Sequence, residues 1–143
     1  MEYDNEEFYW IVTSFLAASY SEQLSILNKF ILTPSSDLTI ERNVSEKLYC
    51  ILWCFRRYMP DYLDDDVCSR SIELYSLLGL IMDYYILENI QHPEVIKYLS
   101  CESMEENEIW QLVRRIAKSI LLAWSLEQFE FKEDIDLDHY GPE

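Results

Sequence analysis

Glycine is nearly absent from this chain: Gly79 and Gly141 are the only two in 143 residues, against an average usage of about 7%. Tight hairpins and phosphate-cradling loops both depend on glycine's access to positive φ. The scarcity argues against an all-β fold and against Rossmann or P-loop nucleotide sites. The alternative is a fold built from helices, and the hydrophobic periodicity agrees.

Phe8, Ile11, Val12, Phe15 and Leu16 form the i, i+3, i+4, i+7 stripe of an amphipathic helix, with Asp4 and Glu7 at capping-box spacing. A second helix is expected from about Ser21 to Leu32, stopped by Pro34. Pro34–Asn43 reads as a loop. Ser45 opens a third helix whose stripe is Leu48, Ile51, Leu52, Phe55 and Met59, ended by Pro60. The fourth, about Val67 to Asn89, carries apolar residues on more than one face and reads as the central, buried helix. Gly79 within it suits a close helix crossing. Pro93 fits the first position of a short helix through about Leu99. Ser103 and Glu106 make a capping box for a last helix bearing Ile109, Leu112, Val113, Ile116, Ile120 and Trp124. The remainder alternates apolar and acidic residues. The fold class expected is therefore all-α: a single compact bundle of five to seven helices over residues 1–143, packed around the fourth and last helices. It carries an acidic C-terminal tail, with 131–143 extended or frayed.

Composition supports a folded domain. Half the residues are apolar and 15% are aromatic, whereas disordered acidic chains are poor in both. The first ten residues are acidic where a secretory leader is basic, so no leader is expected, and no apolar run reaches membrane-spanning length. Cys50 and Cys54 fall within a helical pattern, so all four cysteines read as reduced thiols, and the expected compartment is the cytoplasm.

The charge is extreme. Twenty-seven acids against eleven Lys and Arg give a formal net of −16, beyond the magnitude of about 2–8 that suits a small domain. Self-repulsion on this scale opposes folding, which points to a use in attracting a cationic partner. Two clusters stand out. Asp61, Asp64, Asp65 and Asp66 flank Tyr62, and Glu102, Glu105, Glu106 and Glu108 follow about forty residues on. Together these nine residues are the expected partner-binding surface, because acids steer association and tyrosine anchors it. Tyr58, Tyr84, Tyr85 and Tyr98 lie in or beside the same acidic region. Taken alone, each cluster also fits a solvated loop or a first-turn acid bias.

Other chemistries find little purchase. The basic residues Arg56, Arg57, Arg114, Arg115 and Lys118 are expected to pair with acids on neighbouring helices. A sequence pI near 4.3 opposes direct nucleic-acid binding. Cys50 and Cys54 lack zinc-finger spacing, and Asp61–Asp66 lacks the glycine and glutamate of an EF-hand loop, so neither a metal nor a cofactor is expected. No nucleophile elbow, Cys–His pattern or metalloprotease motif is present, and no enzyme is expected.

The expected function is that of an acidic protein-binding inhibitor. An acidic, aromatic surface competes with phosphate for the basic cleft of a nuclease and reaches it quickly through steering. Immunity proteins (antitoxins) of contact-dependent and polymorphic toxin systems are similar in kind, being small, acidic and free of motifs. That likeness implies a basic toxin nuclease domain as partner, with no direct nucleic acid and no membrane. The alternatives are a phage DNA mimic of the anti-CRISPR type, or a viral Bcl-2-like helical host modulator. The latter would offer an apolar groove in place of an acidic face.

Overall fold

The computed structural model describes residues 5–31, 40–61, 63–88 and 101–123, with the side chains of all but 28–31, 40–46, 83–88 and 101–102. Six helices account for nearly all of these: α1 (Asn5–Ala17), α2 (Tyr20–Ile31), α3 (Ile40–Tyr58), α4 (Asp65–Glu88), α5 (Cys101–Glu106) and α6 (Glu108–Ala123). No strand occurs among the described residues. The all-α bundle is thus as the periodicity indicates. The short helix expected at Pro93–Leu99 and the tail 131–143 lie outside the described residues.

The centre of the bundle is α1, not α4. Every residue from Phe8 to Leu16 is buried, and α1 packs most extensively on α6 and then α3. Two polar residues share this burial. Thr13 Oγ1 donates to the Tyr9 carbonyl at 2.8 Å and Ser14 Oγ to the Trp10 carbonyl at 2.9 Å. A hydroxyl satisfied by its own helix adds no unpaired polar atom to the core. The apolar stripe alone therefore understates how much of α1 is inside.

Around α1 stands an aromatic layer. Phe8 meets Tyr58 edge to face at 5.3 Å between centroids, and Tyr9 packs on Phe55 at 4.9 Å. The Tyr9 hydroxyl donates to Ser71 Oγ at 2.8 Å, fastening α1 to α4. On α6 the buried side is Trp110, Val113, Ile116, Ala117, Ile120 and Leu121. Leu112, an expected core residue, is exposed, and Trp110 takes the interior in its place. The larger ring removes more apolar area from water, so the helix settles with its indole inward.

Helix ends differ from expectation in three places. The third helix begins at Ile40, five residues before Ser45. Ser19 and Glu22 form the capping box of α2: Glu22 N–H donates to Ser19 Oγ at 3.3 Å, and Ser19 Oγ donates to Glu22 Oε1 at 3.0 Å. Ser103 does not cap α6. It is buried within α5, and Asn107 breaks the chain into two helices, its Oδ1 accepting from the Ile109 N–H at 2.9 Å.

Gly79 lies where α3 meets α4, and the room it leaves is filled by the Arg56 guanidinium. A β-carbon there would stand 3.5 Å from Arg56 Nη2 and 3.6 Å from Cζ, ordinary contact distances. Gly79→Ala should therefore stabilise the fold by about 0.5–1 kcal/mol, the helical cost of glycine. A higher urea midpoint with unchanged slope checks this; a fall would mean that Arg56 had to move.

Candidate functional site

The acidic turn between α3 and α4 is built by ordinary helix-end chemistry. Asp64 is the N-cap of α4: its Oδ1 accepts from the Val67 N–H at 3.1 Å, and its carbonyl from the Cys68 N–H at 2.8 Å. Asp65 and Asp66 occupy the first turn, where the helix dipole favours negative charge. Asp66 also receives the Arg70 Nε–H at 3.0 Å, an exposed i, i+4 pair. Such a pair contributes only about 0.3–0.5 kcal/mol. Asp61, Asp64, Asp65 and Asp66 are all exposed. Tyr62, the expected aromatic anchor, lies outside the described residues.

The second cluster straddles the α5–α6 junction. Glu105 and Glu106 end α5, Glu108 opens α6, and all three are exposed. Glu102 sits on α5, its side chain outside the described set.

The structure does not bring the two clusters together. Asn5 and Glu6, at the start of α1, border the same depression as Asp61. The far end of α1 is bound to the other cluster's neighbourhood. Gln23 Nε2 donates to the Phe15 and Leu16 carbonyls at 2.9 and 3.3 Å, and Gln23 Oε1 accepts from Arg114 Nε at 2.9 Å. Arg114 Nη2 in turn donates to the Met104 carbonyl, one residue before Glu105. From Asn5 to Phe15 the helix rises roughly 15 Å at 1.5 Å per residue. The acids thus form two poles, at opposite ends of α1.

The cations behave otherwise than expected. Among the described residues, Arg56 and Arg114 engage rings, an amide, a thioether and a carbonyl. The Arg56 guanidinium lies 4.2 Å over the Tyr75 ring, and its Nη1–H points to Met82 Sδ at 3.9 Å. Arg114 is half-buried. Desolvation lowers its pKa, with Tyr20 opposing, and guanidinium stays charged nonetheless. These two arginines therefore serve helix packing. Their planar heads meet rings and carbonyls in place of the carboxylates that the sequence suggests. Arg57, Arg115 and Lys118 are exposed.

At the first pole lies a half-open depression of about 290 Å³ between the start of α1 and the end of α3. Glu6 and Asp61 supply carboxylates, Tyr58 a ring, Met59 and Pro60 an apolar floor, and Arg57 a single cation. The Tyr58 ring is fixed by edge contacts to Phe8 at 5.3 Å and Trp53 at 6.4 Å. Arg57 Cζ stands 5.7 Å from that ring's centroid. Sequence spacing conceals this site, because Glu6 and Asp61 are separated by more than fifty positions. Cys50, Cys54 and Cys68 are free thiols, and no helix of the described residues is long and apolar enough to cross a membrane. No family model, curated protein or solved structure matches this chain.

Proposed function

We infer that this chain is a stoichiometric inhibitor of a basic protein, of the immunity-protein (antitoxin) kind, acting in the cytoplasm on a toxin nuclease domain by covering its phosphate-binding cleft. It acts by occupancy and carries out no reaction of its own. The observation that carries the reading is the net of −16 together with exposed acids at both ends of a compact helical bundle. A rigid scaffold holding carboxylates outward is suited to fast, charge-steered association with a cationic surface. That many of these acids also cap or begin helices does not weaken the field they project.

Co-expression with basic nuclease toxins should restore growth at one-to-one stoichiometry. The double reversal Asp61→Lys, Asp65→Lys leaves the Asp64 cap and the Asp66–Arg70 pair in place. It should slow association about tenfold at low salt, with the difference shrinking as screening rises. Stopped-flow association with the captured partner measures this. Unchanged rates would reduce the acids to a solvated surface, and tight binding of an amphipathic host helix instead would favour a helix-groove modulator.

A further inference from the structure

We propose that the depression between the start of α1 and the end of α3 is a receptor for one basic side chain of the partner, and that Arg57 is the internal cation it displaces. This deepens the reading above and rests on it. The site combines three features that a lysine or arginine head seeks. Two acidic residues, Glu6 and Asp61, line it from separate helix ends. The Tyr58 ring offers a π-face, and its contacts to Phe8 and Trp53 already hold it in place, so little ordering is left to do on binding. The volume of about 290 Å³ leaves room for the end of one long side chain.

Arg57 is the telling residue. It is exposed, it lines the depression, and its guanidinium lies within cation–π range of Tyr58. The chain thus places its own cation among the groups that would receive a foreign one. A partner's arginine meets the same ring and acids, while Arg57 is free to swing into solvent. Exposed acids elsewhere, such as Glu105 and Glu106, offer charge without an aromatic wall among the described contacts.

A hexa-arginine peptide titrated into the full chain at about 50 mM salt, where screening is modest, tests this. In wild type, the backbone amide shifts of Glu6–Phe8, Arg57–Met59 and Asp61 should move first. The pair Glu6→Gln, Asp61→Asn should weaken the peptide about fivefold or more, from two ion pairs and a lost cation–π geometry. Glu105→Gln, Glu106→Gln makes the same charge change at the other pole and should weaken it less than about twofold. Arg57→Gln should tighten binding more than Arg115→Gln, an equal charge change on α6. Circular dichroism establishes that each variant keeps its helices, and the wild-type shift map needs no variant. Equal losses from both acid pairs, or shifts spread over both poles, would overturn the receptor and leave a diffuse acidic surface. Absence of any peptide binding to wild type would overturn the inhibitor reading as well.

Discussion

Replacing Gln23 with alanine should cost roughly 3 kcal/mol of stability, more than most single changes in a domain of this size. Its buried amide is satisfied on both sides. It closes two carbonyls at the end of α1, Phe15 and Leu16, and receives the Arg114 Nε–H. The Ala18 N–H still reaches the Phe15 carbonyl at 3.1 Å and the Met104 carbonyl still holds Arg114 Nη2, so removal strips its amide partner from the Leu16 carbonyl at the helix end and from the Nε–H of a half-buried guanidinium. A hydrogen bond to a charged group contributes about 1.5–3 kcal/mol and a neutral one about 1. Arg114→Met should be nearly as damaging, because it strands Gln23 Oε1 inside. The pair Gln23→Ala, Arg114→Met should cost less than the sum, with a coupling of about 1–3 kcal/mol, since groups in one network do not add. Urea denaturation of the four proteins gives the cycle. Additive losses would show that Gln23 and Arg114 act independently.

Stability should hold level to about pH 8 and then fall steeply above pH 9 to 10. Burial raises the Cys54 thiol from 9.0 to about 12, with nearby Cys50 adding to the effect. Burial also raises the Tyr9 phenol well above its usual 10.0, against the opposing hydrogen bonds to Ser71 and Thr13. Both groups are acids held neutral in the folded state. Between the unfolded and folded values, the unfolded chain has lost protons that the native chain keeps. The linkage slope is then negative, and stability drains as pH rises. Each group contributes about 1.4 kcal/mol per pH unit in that window, so the two together approach a slope of about 2.8 kcal/mol per pH unit between pH 10 and 12. Urea midpoints at pH 8, 9.5, 10.5 and 11 measure the slope. Tyr9→Phe and Cys54→Ala should each flatten it by about half, although both start less stable. A flat profile to pH 11 would mean that neither group is held neutral. The same burial predicts that Cys54 alkylates far more slowly than Cys50 or Cys68, which are only part-buried.

Helical content was legible because two signals agree. Leu48, Ile51, Leu52 and Phe55 recur at helical spacing, and all four are buried. The choice of central helix was not legible. Thr13 and Ser14 look like a solvent face, and only their bonds to the carbonyls one turn back make them interior. The cap at Asn107 is masked in the sequence because the Ser103–Glu106 spacing imitates one, although Asn is itself a strong cap residue. The acidic clusters were plain from composition. Their separation was not, since it follows from Gln23 and Arg114 meeting across ninety-one positions. The α1–α3 depression likewise arises from tertiary folding of distant segments, and no local motif announces it.

The buried helix α1 also carries a consequence for synthesis. Its main packing partner, α6, lies about a hundred residues further along the chain. On a ribosome adding about 5–20 residues per second, Phe8–Leu16 emerges seconds before the surface meant to cover it exists. During that interval Phe8, Trp10, Ile11 and Phe15 have α3 as their first available shelter, and complete enclosure waits for α6. A protein that loses α6 to truncation should thus be a client of chaperones and proteases, not a smaller working domain.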